Sequence, residues 1–176
     1  MTLQLRPFKK QDIPDLFSWF SSEREVLLWG GASLAWPLQR RQFVDLIKRH
    51  RGADPDREIW SVTRDNDMLG HFQIGFNRRL NSAALGRIVL APRVRGQGLS
   101  RPLLKLILRT AFRRAWVHRV DLMVYAPNAP AISAYLRAGF VHEGTRRQTT
   151  PYCNEIWDTH MMSILRPEFD KRTEQE

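Results

Sequence analysis

Residues 92–105 read PRVRGQGLSRPLLK. Gly96 and Gly98 stand among Arg93, Arg95, Arg101 and Lys105, and the stretch runs straight into apolar residues at helical spacing. Upstream, AALGRIVL (83–90) reads as a strand ended by Ala91-Pro92. Downstream, 99–116 reads as a helix, with Leu103, Leu104, Ile107, Leu108, Ala111 and Phe112 on one wide apolar stripe. A strand, a glycine-rich turn and a helix therefore follow one another.

This arrangement has a physical use. A helix N-terminus presents free backbone N–H groups and partial positive charge. Glycines let the backbone curl and let an anion come close to those groups. Two readings of the turn stay open: a cradle for a phosphate or pyrophosphate, and a helix-start turn that uses glycine for tightness alone. A P-loop is excluded, because no Lys-Ser/Thr pair follows the glycines. A dinucleotide fingerprint is excluded too, because its third glycine position holds Arg101.

The turn lies in an unusual charge environment. The chain carries a net +10, and between Asp67 and Asp121 there is no Asp or Glu at all. That favours anionic partners. Arg101, Lys105, Arg109 and Arg113, four apart, form a basic stripe on the helix face opposite the apolar one. It reads as a solvated face or as a phosphate-binding surface.

The rest of the 176-residue chain suits one domain, 1–168, with a charged and frayed tail at 169–176. LQLRP (3–7) reads as a short strand, and a helix starts near Asp12. WGGASLAWP (29–37) reads as a loop and 39–50 as a second helix. EIWSVTR (58–64) and MLGHFQIGF (68–76) form a hairpin around Asp65-Asn66-Asp67. RVDLMVY (119–125) is a strand, 128–138 a short helix stopped by Gly139, and VHEGTRRQ and EIWDTHMMSIL two closing strands. The expected fold is a single-domain α/β structure: a mixed, mostly antiparallel sheet of about six to seven strands flanked by helices.

Composition narrows the setting. Hydrophobic residues make up 43%, which excludes a disordered chain. No run approaches the ~18 apolar residues of a membrane span. The N-terminal stretch MTLQLRPFKKQD lacks a long apolar segment and a cleavage signal. Cys153 is the lone cysteine, so no internal disulfide or cysteine-based zinc cluster forms, and no metal is expected. A cytoplasmic protein is expected.

Two blocks together resemble a known family. Arg93-Val-Arg-Gly96-Gln-Gly98 is similar to the Q/R-x-x-G-x-G/A signature of the GNAT superfamily of N-acetyltransferases. Asn128 to Phe140, NAPAISAYLRAGF, resembles the family's later motif N-x-x-A-x-x-x-Y-x-x-x-G-F in the same register. LRPFKKQD near the start, WGG at 29–31 and the ending EIWDTHMMSILRPEF resemble the ribosomal-protein and aminoglycoside N-acetyltransferase branch. The resemblance covers about 3–168.

The resemblance implies an enzyme that moves an acetyl group from acetyl-CoA directly to a primary amine, on a small molecule or a peptide N-terminus. It implies that Val89 and Leu90 pair with the pantetheine arm and acetyl group. Backbone amides of Arg95, Gly96, Gln97, Gly98, Leu99 and Ser100 hold the pyrophosphate, with Arg93 and Arg95 adding charge at the mouth. Asn128 meets the cofactor arm, and Tyr135 is the general acid for the thiolate. Tyr135 also reads as a core aromatic of the 128–138 helix.

The base is less defined. The family's glutamate on the strand before the turn, or on its hairpin partner, is absent here, because 68–76 and 83–90 hold no carboxylate. His71 titrates near neutrality in principle, and it also reads as an exposed strand histidine. Glu155, Asp158 and a water chain ending on backbone carbonyls are the other candidates. Trp29, Trp36 and Trp60 suggest aromatic walls for the acceptor. Glu23, Glu25, Asp45, Asp54, Asp56 and Glu58 make the N-terminal third locally acidic. Two other functions stay open: a basic nucleic-acid- or ribosome-associated protein, and a CoA-ester binder without catalysis. The first lacks a reading helix, zinc motif or aromatic platform, so nucleic acid is not the expected partner. A homodimer is compatible with all of these.

Overall fold

The computed structural model describes residues 3–50, 52 and 54–174. Among the described residues, seven strands and six α-helices form an α/β fold, with strand order β1-β2-β3-β4-β5-β7-β6. The strands are β1 (Gln4–Pro7), β2 (Arg57–Arg64), β3 (Asp67–Asn77), β4 (Ser82–Leu90), β5 (Arg119–Tyr125), β6 (Val141–Tyr152) and β7 (Glu155–Leu165). The chain divides into two compact units: Met1–Gly75 with Gly86–Leu99, and Phe76–Leu85 with Ser100–Glu176.

The first unit holds β1, β2 and most of β3, with three helices: α1 (Ile13–Phe17), α2 (Glu23–Gly30) and α3 (Arg40–Arg49). β1 pairs antiparallel with β2, and β2 with β3. The predicted turn closes the β2–β3 hairpin: Asp65 and Asn66 take φ of 51° and 66°, the left-handed pair a two-residue hairpin loop needs. Phe8, Leu16, Trp19, Phe20, Val26 and Phe43 pack with Met68, Leu69, Ala91 and Val94 into one core.

A helix starts at Ile13, next to Asp12, as expected; the first difference in this unit is its shortness, and the Asp12 side chain does not cap it. A 3-10 turn (Lys10–Asp12) leads into only five α-helical residues. Asp12 instead accepts from Arg6 at 2.6 and 2.8 Å, from the Lys9 N–H at 2.8 Å and from the Ser61 hydroxyl at 2.8 Å. Burial raises its carboxyl, but these donors together hold it below the usual carboxylate range. The second difference is α2, a helix that runs into the Trp29-Gly30 assigned above to a loop. Its signal lies in Ser22-Glu-Arg-Glu25: the Ser22 hydroxyl accepts from the Glu25 N–H at 3.3 Å. Gly31, at φ 73°, ends it.

The second unit is built on β5. Ser82↔Arg119 to Leu85↔Leu122 form a parallel ladder between β4 and β5, a pairing that needs a crossover. The crossover helix is α4 (Ser100–Phe112), which buries Leu103, Leu104, Ile107, Leu108, Ala111 and Phe112, the predicted stripe. Arg101, Arg109 and Arg113 face outward and are exposed. β7 pairs antiparallel with β5 and with β6. α5 (Ala129–Ala138) is capped by Asn128 and ended by Gly139 at φ 103°.

Residues 169–174 of the expected tail are helical rather than frayed, and 175–176 lie outside the described residues. α6 (Arg166–Glu174) starts at the end of β7. The Arg166 guanidinium donates to the carbonyls of Val117 at 2.8 Å, Phe112 at 2.9 Å and Arg114 at 2.9 Å. Phe112 is the last residue of α4 and Arg114 and Val117 lie in the loop that follows it, so the guanidinium ties α6 to the C-terminal end of α4, where a cation is favoured. Phe169 stacks on Phe112 with centroids 4.9 Å apart.

Candidate active site

The glycine turn belongs to the first unit up to Leu99. Ala91 anchors it, donating its N–H to the Leu69 carbonyl at 2.8 Å. A 3-10 turn (Pro92–Val94) follows, with Val94 buried beneath it. Gly96 and Gly98 both take φ 75°, a left-handed conformation in which side chains are disfavoured. Nothing lies within 4 Å of where a Cβ would stand at either position. The backbone is therefore bare on that side, and the first turn of α4 carries no acidic residue. This fits an anionic group approaching amide N–H groups.

The arginines of the turn are not equivalent. Arg93 reaches back to β3, where Nη2 meets both Asp67 carboxylate oxygens at 2.6 Å and the Met68 carbonyl at 2.9 Å. It clamps the turn to the hairpin. Gln97 does similar work, donating to the Arg93 carbonyl at 2.9 Å. Arg95 donates Nε to the Leu90 carbonyl at 3.0 Å and is exposed. Val89 and Leu90 are half-buried and pack on the core. The Val89 carbonyl sits against Gly70 of β3, 2.9 Å from where a Cβ would be.

β4 carries an irregularity just upstream. Arg87 takes φ 52°, which for an arginine in a strand costs about 1–3 kcal/mol. Its guanidinium lies 5.9 Å from the Phe43 ring and donates to Ser33 at 3.4 Å.

His71, one candidate base, is not an exposed strand histidine. It is 0% exposed, with its ring edge-on to Phe8 at 4.6 Å. Its Nε2 lies 3.3 Å from Gln73 Nε2, and its Nδ1 has no partner among the described residues. Burial, then the charge of Arg87, push it down to about 3, against a smaller upward pull from Asp12. A group that weakly basic is a poor acceptor for an ammonium proton at neutral pH.

The aromatic residues divide. Trp29 stacks on Phe43, with centroids 6.1 Å apart and planes at 3°, and Trp60 stacks on Phe72 at 6.4 Å. Trp36 is partly exposed.

Ser100, Asn128 and Tyr135 lie in the second unit. Asn128 Oδ1 accepts from the Ala131 N–H at 3.4 Å, so its oxygen serves the helix cap and its amide N–H₂ is left to donate. Tyr135 lies in the middle of α5 and meets the Phe140 ring at 5.8 Å and 61°. Burial alone pushes its phenol up to about 12. It therefore holds its proton throughout the neutral range. Asp158 Oδ1 accepts from the Gln148 N–H at 2.7 Å, and Glu155 accepts from the Trp157 indole. Both carboxylates are engaged, Asp158 in pinning β7 to β6 and Glu155 within β7. Among the described residues no cluster of three or more His, Cys, Asp or Glu could hold a metal. Nor is any helix among them long and apolar enough to cross a membrane.

Comparison with known proteins bears on family and fold. Residues 2–141 match the family described as Acetyltransferase (GNAT) domain. The chain is 24% identical, over 96% of its length and 92% of the relative's, to a prophage-derived uncharacterized N-acetyltransferase of Bacillus subtilis. It is 30% identical to an L-amino acid N-acetyltransferase of Escherichia coli, over 58% of this chain and 64% of that one. Its fold matches a crystal structure of spermidine N-acetyltransferase from Vibrio cholerae in complex with CoA and spermine. The TM-score is 0.81 at 22% identity, covering 96% of this chain and 98% of the other.

Proposed function

Since the chain belongs to the GNAT acetyltransferase family and is an acetyl-CoA-dependent N-acetyltransferase, we propose that it acetylates a primary amine of a small molecule or peptide N-terminus by direct transfer. The observation that carries the site assignment is the pair of left-handed glycines, 96 and 98, with open space beside each at the start of α4.

In this reading the amides from Arg95 to Ser100 hold the pyrophosphate, and the acid-free basic block supplies a favourable field. Arg93 and Gln97 keep the turn in shape and leave the binding to the backbone. Val89 and Leu90 face the pantetheine arm, and a strand N–H near Leu90 stabilises the developing oxyanion. Asn128 donates to the same arm. Acetyl-CoA supplies a thioester carbonyl open to attack by a neutral amine. As the C–N bond forms and the C–S bond breaks, the amine loses a proton and the thiolate gains one. Tyr135 Oη, which keeps its proton through the neutral range, is the group that gives it to the thiolate. Because His71 is so weakly basic and Asp158 and Glu155 are engaged, the amine proton leaves through water. The lone exposed Cys153 supports a cytoplasmic setting.

The test is thermal unfolding with acetyl-CoA, followed by thiol release with a panel of amines. Saturation at a hundred times the dissociation constant adds about 2.7 kcal/mol. No stabilisation and no thiol release would sink the reading.

A further inference from the structure

A second set of polar groups in the first unit has no role in holding acetyl-CoA. Arg57 of β2 donates to Gln73 Oε1 of β3 at 3.4 Å. Arg87 of β4 is close enough for the Arg57 charge to act on it. Neither guanidinium has a carboxylate partner among the described residues. Asp12, whose charge reaches His71, is already neutralised by Arg6 and bound by Ser61 and the Lys9 N–H, and Asp56 meets His50. Glu58 accepts from Trp60. Two unneutralised cations are thus held near each other, one of them in a left-handed strand conformation that re-aims its side chain.

Around them lie buried polar atoms without partners. Trp29 Nε1, Gln42 Oε1 and His71 Nδ1 make no hydrogen bond among the described residues. They form one neighbourhood with the arginines. Gln42 Nε2 donates to the Ser33 carbonyl at 3.5 Å, and Arg87 donates to the Ser33 hydroxyl. Phe43 lies beneath both Arg87 and Trp29. Buried donors and acceptors are normally satisfied, so three unpaired ones beside two guanidinium groups that meet only neutral partners point to a ligand with both polar and anionic parts. Guanidinium forks match a carboxylate. A polyamine would meet like charge here.

We propose that the acceptor amine carries a carboxylate, held by Arg87 and Arg57, so that the substrate is an amino-acid-like molecule and neither a polyamine nor a peptide N-terminus. The proposal rests on the N-acetyltransferase reading above and names its acceptor. Arg87 precedes Val89, the residue placed on the acetyl arm, by two positions on β4.

The experiment follows thiol release from acetyl-CoA with the common L-amino acids, their matching amides, a short peptide and spermidine. At least one acid is acetylated with kcat/KM about tenfold or more above its amide, and spermidine and the peptide fall below it. Arg87→Gln and Arg57→Gln each bring the acid-to-amide ratio down toward unity. A preference for amides, peptide or spermidine overturns the proposal while leaving the N-acetyltransferase reading standing. An unchanged ratio in both variants does the same. Thiol release with none of these amines, and no thermal stabilisation by acetyl-CoA, overturns both. The wild-type acid-to-amide comparison decides the matter if a variant fails to fold.

Discussion

Gly70 of β3 and the Val89 carbonyl of β4 are in such close approach that a Cβ on Gly70 would stand 2.9 Å from that oxygen. The same Cβ would lie 3.3 Å from Val62. Gly70→Ala therefore has to displace backbone, at a cost of about 1–3 kcal/mol. Because Val89 is assigned to the acetyl arm, the variant should lower Tm and also weaken acetyl-CoA binding. Calorimetry and ligand-induced stabilisation measured on one sample check both effects.

Gly98→Ala tests the turn itself. The added methyl meets open space, so the penalty is conformational, about 1–2 kcal/mol for an L-residue at φ 75°. KM for acetyl-CoA should rise by about tenfold. An unaltered KM would show that the turn uses glycine for tightness alone.

Tyr135→Phe separates an acid from a core aromatic. No hydrogen bond or charge contributes to the shift of its phenol, so loss of the hydroxyl should leave Tm unchanged. As general acid, its removal should lower kcat by about a hundredfold. Steady-state kinetics beside a melting curve give the answer, and an unchanged kcat returns Tyr135 to a packing role.

His71 gives stability a pH dependence in a defined window. Its folded pKa of about 3 lies below the unfolded value of about 6.5. The unfolded chain therefore binds the proton first. The contribution is fully present above about pH 6.5 and falls as pH drops toward 3, by roughly 2 kcal/mol between pH 7 and pH 5. The urea midpoint should decline over that range in wild type, and much less in His71→Gln. The lowered carboxylates of Asp12 and Glu25 give up their contributions at lower pH, starting near their unfolded values.

Arg166→Ala tests the C-terminal helix. It removes three charged hydrogen bonds to carbonyls at the end of α4 and in the loop that follows it, and a guanidinium 5.0 Å from the Phe112 ring. The expected loss is about 2–3 kcal/mol, or about 5–10 °C in Tm for a chain of this size.

Most of the strands, α3, α4 and α5 were legible because their signals are local. Asp65-Asn66 carries its own turn chemistry, α4 its own apolar stripe, and Gly139 its own left-handed stop. α2 was legible in principle, since Ser22 caps it by accepting from the Glu25 N–H and Glu25 reaches back to Ser21, but Trp29-Gly30-Gly31 reads more strongly as a loop. α6 was not legible. Its sequence is polar and none of its residues is buried. What fastens it is Arg166 and Phe169 meeting the end of α4, some fifty residues away.

The site divides along the same line. Local order in the chain specified a glycine turn between a strand and a helix, and a tyrosine seven residues after a capping asparagine. These depend on spacing alone, so they survive without a structure. Which charges are spent and which are free depends on partners distant in the chain. Arg93 turned out to be clamped by Asp67, His71 to be buried beneath Phe8 and Trp29, and Asp158 to be tied to Gln148. Arg57 and Arg87 were two arginines among many until β2, β3 and β4 paired. A residue's charge is written in its own side chain, but its neutralisation belongs to whatever the fold places beside it.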